Sequence, residues 1–198
     1  MRPGQDLVAA GYAGLAGTRI IVEEKRQELE MHFAAGYLDS ILEYSWHAEK
    51  RQKKADDKRF ALTEREPAAE GGILTAIWKL SGSCRLGVEF SLRKIPVLQG
   101  TIEMCEVFGL NPYRLYSEGC WVQAADNGGR LVEQLWEEEI PAAVIGRITK
   151  GIARIVINGE ERGYLNRPQP DELEKVIQTE RATKKEAVGY EREDFSSH

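Results

Sequence analysis

The sequence predicts an α/β fold in which helices layer against a mixed sheet. Three observations carry that prediction. Strand-like and helix-like periodicities alternate along the chain, and a strand, a turn containing Gly71 and Gly72, and a helix with apolar residues at 73, 74, 77, 78 and 80 follow one another. The second half then repeats the alternation and runs into an Asn158-Gly159 turn.

In order, Asp6 to Tyr12 (DLVAAGY) reads as a short strand. Gly11, Gly14 and Gly17 break the path into an amphipathic helix over 15–31 that carries Ile20, Ile21 and Leu29. A second helix is expected from Ala35 to Lys54, with Tyr37, Leu38, Ile41, Leu42 and Trp46 on its apolar side. Its basic end, Lys50, Arg51, Lys53 and Lys54, suits the negative end of a helix dipole. Phe60 to Thr63 is expected as a short strand, followed by the central helix from 71 to Gly82. Leu86 to Leu92 alternates apolar and polar residues as a half-buried strand does. A helix holding Ile102, Met104, Cys105, Val107 and Phe108 stops at Gly109, and Asn111-Pro112-Tyr113 signals a further helical start.

Cys120 to Ala125 reads as a strand, Asn127-Gly128-Gly129 as a turn, and Arg130 to Glu139 as a helix that buries Leu131, Leu135 and Trp136. Ala142 to Ile148 is expected to form a hairpin with Ala153 to Ile157 across Gly151, ahead of the Asn158-Gly159 turn. Asp171 caps a last helix over 172–179. These elements make one domain over 1–178, and the polar, mixed-charge residues 179–198 are expected to form a mobile tail.

Composition narrows the function. With 42% hydrophobic and 30% charged residues the 198-residue chain is expected to be a soluble globular protein with a sizeable core. Its 27 basic and 32 acidic residues leave a net charge of -5, which argues against a nucleic-acid partner. No apolar run reaches the roughly 20 residues of a membrane span and no signal peptide is evident, so a cytoplasmic location is expected. Cys84, Cys105 and Cys120 form no Cys-x-x-Cys pair, and His32, His47 and His198 have no ligand spacing, so neither a metal site nor a catalytic triad is expected. The clusters Glu23-Glu24 and Glu137-Glu138-Glu139 read as solvated faces.

The candidate site is the turn at Glu70, Gly71 and Gly72. The first N–H groups of a helix lack intrahelical partners and point outward with the positive end of the dipole, and glycine lets a ligand approach the backbone. A small anion is the expected ligand. The plainer alternative is that the two glycines only permit tight packing.

Ordered blocks across the chain carry a resemblance: Gly11-Tyr12-Ala13-Gly14-Leu15-Ala16-Gly17-Thr18, Glu70-Gly71-Gly72-Ile73-Leu74-Thr75-Ala76-Ile77-Trp78, Gly87-Val88-Glu89-Phe90, Ile95-Pro96-Val97, Phe108-Gly109-Leu110-Asn111-Pro112-Tyr113 and Ile145-Gly146-Arg147-Ile148-Thr149. Over about 6–176 the chain resembles the C-terminal domain of the aminoimidazole ribonucleotide (AIR) synthase-related superfamily, most of all its hydrogenase-maturation branch. The resemblance implies an α/β sandwich. It also implies that the N-terminal domain holding most ATP and metal ligands in complete members lies outside this sequence. ATP and Mg are therefore expected only if a partner subunit supplies that domain, and no cofactor is expected for the isolated chain.

The resemblance brings departures with it. The family's Asp and Thr before the paired glycines are replaced by Pro67 and Ala69, its Ser-Gly-Ser type turn stands as Ser117-Glu118-Gly119-Cys120, and the reactive terminal Cys of the hydrogenase-maturation enzymes is not matched by Ser197-His198. No catalytic residue is carried over. Two functions follow: a non-catalytic binding or assembly module, a possible pseudoenzyme, or the substrate-binding half of a split ATP-dependent enzyme completed by a separate ATP-binding subunit. Either a homodimer or a complex with a separate protein subunit is expected, with the strand at 6–12 and the Trp46 helix as candidate contacts.

Overall fold

A computed structural model describes residues 1–44 and 64–177. Chain order is β1 (Asp6–Ala10), α1 (Leu15–Glu24), α2 (Arg26–Leu29), α3 (Ala35–Glu43), β2 (Glu64–Ala68), α4 (Gly72–Cys84), β3 (Gly87–Ser91), α5 (Gln99–Phe108), β4 (Cys120–Ala125), α6 (Gly128–Glu137), β5 (Ala142–Thr149), β6 (Arg154–Asn158) and β7 (Glu161–Tyr164). Short 3-10 turns stand at Leu92–Lys94 and Pro112–Arg114, and residues 173–177 are helical. The strands form one mixed sheet in the order β2-β4-β1-β5-β3-β6-β7. The β3–β6 pair is parallel and the others are antiparallel.

The period of two in β1 shows how the layers form. Leu7 and Ala9 join Ile73, Ile77, Leu80 and Val122 beneath α4, whereas Val8 and Ala10 join Trp121, Leu131 and Leu135 beneath α6. A third cluster binds the remaining helices together through Ile21, Leu38, Met104 and Leu115, with Leu173 and Val176 added from the 173–177 turn. The expected α/β sandwich with a mixed sheet is the observed architecture.

Several expectations change in detail. The helix expected over 15–31 is two helices, broken at Lys25, whose backbone leaves the helical region. The strand before the paired glycines is β2, and it holds Pro67 because it is an edge strand that pairs with β4 alone. Helix α4 runs past Gly82 to Cys84 and stops where Arg85 turns left-handed. Trp136 lies on the flank of α6 and is 53% exposed, with its indole N–H donating to the Ala142 carbonyl at 2.9 Å.

The hairpin expected between β5 and β6 does not form. Both edges of β5 are taken, by β1 and β3, so the returning strand adds beside β3, where the Val88 N–H donates to Ala153 O at 3.0 Å. The Asn158-Gly159 turn does join a hairpin, β6 to β7. β1 is paired on both sides and Leu7 to Ala10 have no exposed surface, so this strand is not a docking surface. The basic end of the second helix with Trp46, the Phe60 to Thr63 strand, His47, His198 and the 179–198 tail lie outside the described residues. No helix among the described residues is long and apolar enough to cross a membrane.

Candidate functional site

The paired glycines stand where β2 turns into α4. Gly71 (φ 75°) and Gly72 (φ 67°) are both left-handed, a conformation that side-chain-bearing residues avoid. Both are buried, while Glu70 is exposed. What approaches Gly72 is the protein's own backbone, and what comes nearest to Gly71 is the Thr75 side chain. A Cβ on Gly72 would lie 2.5 Å from Tyr113 O and 2.8 Å from Arg114 Cα, and one on Gly71 would lie 2.5 Å from Thr75 Oγ1.

Three of the ordered blocks converge here. Gly14, at φ 76°, fits against Pro112 O, and Gly17 against Leu115, with no room for a Cβ. The Gly14 N–H donates to Ser117 Oγ at 2.8 Å, and that hydroxyl donates to Leu115 O at 2.7 Å. Ala69 O accepts from Gly72 N–H at 3.1 Å and from Ser117 N–H at 3.2 Å. The turn over 111–117 is thus clamped between the start of α1 and the start of α4.

A carboxylate from far along the chain occupies this junction. Asp171 is 5% exposed. Its Oδ2 accepts from Gly71 N–H at 2.6 Å, and its Oδ1 accepts from Tyr116 N–H at 3.0 Å and from Leu173 N–H at 2.9 Å. The expected capping of the last helix is the Leu173 bond, and the other two are what sequence reasoning missed. Beside it, Glu172 N–H donates to Arg114 O at 3.3 Å and Glu172 Oε2 accepts from Lys175. The Thr75 hydroxyl is buried without a hydrogen-bond partner. Glu118 turns away to accept from the Tyr116 hydroxyl at 2.7 Å, which with burial raises that phenol above its usual value.

Pro67 and Ala69 are exposed and offer no side-chain donor or acceptor. Among the described residues no group of three or more His, Cys, Asp or Glu side chains is placed to hold a metal ion. Next to α4 lies an open groove of about 700 Å³ that includes Leu74, Leu92, Asn111, Arg114, Arg162 and Tyr164. Its Arg162 is tied to Glu89, which also holds Arg147.

The cysteines are core thiols with one exception. Burial pushes Cys105 and Cys120 up to about 12, with Glu172 adding to the effect on Cys105, whereas Cys84 is half-buried. In native protein at about pH 8 a disulfide reagent is expected to titrate Cys84 alone, and all three thiols in denaturant. Reaction of Cys120 at the rate of Cys84 would contradict this. The same shift sets a pH direction, since raised thiol values contribute stability that is whole below about 8.5 and is lost as pH climbs toward 12.

The sequence matches no family model, and no curated protein matches it. Solved structures do match in fold. Hydrogenase maturation protein HypE from E. coli aligns at a TM-score of 0.72 and 19% identity, over 89% of this chain and 53% of that one. A HypE–HypF complex contains a chain that aligns at 0.62 and 18% identity, over 85% and 54%. Thiamine-monophosphate kinase from Stenotrophomonas maltophilia K279a aligns at 0.59 and 14% identity, over 81% and 51%. The chain spans about half the length of these proteins. Its fold is therefore the AIR synthase-related C-terminal-like fold that the ordered glycine blocks imply, shared with HypE and thiamine-monophosphate kinase.

Proposed function

We propose that this chain is a non-catalytic binding or assembly module of the hydrogenase-maturation type. The observation that carries this reading is Asp171. At the glycine turn, the backbone donors that could stabilise an anionic substrate are already bonded to a carboxylate of the chain itself, and Pro67 and Ala69 supply no group to orient a reacting atom. Protein binding is supported by the HypE–HypF complex among the structures of this fold. A homodimer is the simplest assembly. Its contact is the outward face of β6 and β7, where Ile155 and Ile157 alternate with the inward Val156 and lie near Tyr164, 77% exposed.

Light scattering with Mg-ATP titration of the purified chain tests both parts. A dimer mass at micromolar concentration, with no ATP turnover, is the expected result. A monomer mass would remove the dimer, and clear Mg-ATP affinity with turnover would replace the module by one half of an ATP-dependent enzyme.

A further inference from the structure

We propose that the amides around Asp171 form a carboxylate-binding nest that Asp171 fills in cis. The 165–177 segment is then a strap, and a carboxylate supplied from elsewhere takes the same place when the strap lifts. The proposal rests on reading the glycine turn as an anion site and names its ligand class.

A helix cap alone does not account for the geometry. Capping the 173–177 turn uses one oxygen on Leu173 N–H, yet Asp171 also reaches Gly71 and Tyr116, 100 and 55 residues back along the chain. These two donors belong to the frame. They stay in place when the strap leaves, and each N–H then has no protein partner. An empty nest is thus unfavourable, and a replacement anion is favoured.

Thr75 is a second, independent sign of a ligand position. Its residue is 6% exposed, and its hydroxyl has no partner although it lies against Gly71 at the start of α4. The seated Asp171 leaves that donor unused, beside Gly71 at the positive end of the α4 dipole. The donors select shape as well as charge. Asp171 sets Oδ2 on Gly71 N–H and Oδ1 on Tyr116 N–H, a planar two-oxygen fork that formate reproduces and a tetrahedral anion does not.

The middle of the strap is open to solvent. Residues 166–170 are exposed, and the segment is held by Leu165 on one side and by Leu173 and Val176 on the other. While it is seated, Asp171 acts at an effective concentration of roughly millimolar or above, which keeps dilute carboxylates out.

The test is rescue of Asp171→Gly and Asp171→Ser by added formate. Melting temperature and the amide resonances of Gly71 and Tyr116 are followed against formate, with chloride at matched ionic strength and inorganic phosphate as controls. Expected is a saturable rise that recovers at least half of the lost melting temperature, with both amides shifting at the same midpoint. Phosphate should do less, and the wild type should not respond. A peptide copying residues 168–177 separates two sources of the same group. Rescue at concentrations below those of formate assigns the nest to a protein carboxylate, and rescue by formate alone assigns it to a small free one. If neither variant responds to formate more than to chloride, or if phosphate equals formate, the proposal is overturned. The Mg-ATP result does not bear on this outcome.

Discussion

Gly72→Val is expected to destabilise the protein by about 3–5 kcal/mol, combining the cost of a left-handed β-branched residue with that of overpacking. The substituted Cβ would meet the Tyr113 carbonyl at 2.5 Å and the Arg114 backbone at 2.8 Å, and neither is the end of a flexible side chain. To make room, the 111–117 turn must move. That turn carries Tyr116, one of the Asp171 donors, and Ser117, the partner of Gly14, so three elements loosen together. At ~2–4 °C per kcal/mol for a chain of this size, the melting temperature should fall by roughly 10 °C. A fall below 2 °C would mean that the close approach of the two backbones is not as described. The variant therefore reports on packing and is a poor probe of ligand binding.

Gly146→Ala should be comparably damaging, although the residue needs no positive φ. Its Cβ would stand 2.1 Å from Glu89 O and 2.6 Å from Phe90 Cα, inside the β3–β5 ladder at the centre of the sheet. Relief requires separating two paired strands whose inward residues, Phe90, Ile145 and Ile148, anchor the α4 core. A loss of about 3 kcal/mol or more in urea unfolding is expected, with faster amide exchange in β3 and β5. Unchanged exchange in those strands would contradict the account.

These two glycines also show how far the sequence could be read. Gly72 announces itself, because a glycine pair followed by a helical apolar pattern marks a turn with free amides. Gly146 sits in a β-branched run and stands out only as part of an ordered block. Its reason is a neighbour at Glu89, which no local pattern contains. Periodicity located β1, β3, β4 and α5 well, since each buries one face and the spacing of apolar residues records that face. It misplaced the partner of β6, because pairing depends on which sheet edges remain open. Trp136 fooled it for a related reason: a large ring beside Leu135 can lie along the flank and spend its N–H on Ala142. Asp171 was legible as a cap. That its second oxygen returns to Gly71 was not, since a helix start far upstream leaves no mark on the sequence around 171.

The position of β1 has a consequence for synthesis. Asp6 pairs with Ala125 on one side and Arg147 on the other, so this inner strand leaves the ribosome well before either neighbour exists. At about 5–20 residues per second the delay is roughly ten seconds. During that interval Leu7-Val8-Ala9-Ala10 is an unpaired apolar stretch with both hydrogen-bonding edges open, available to chaperones or to another nascent chain. Folding of the sheet must wait for β5, which places this protein among slow, long-range folders whatever the stability of the finished domain.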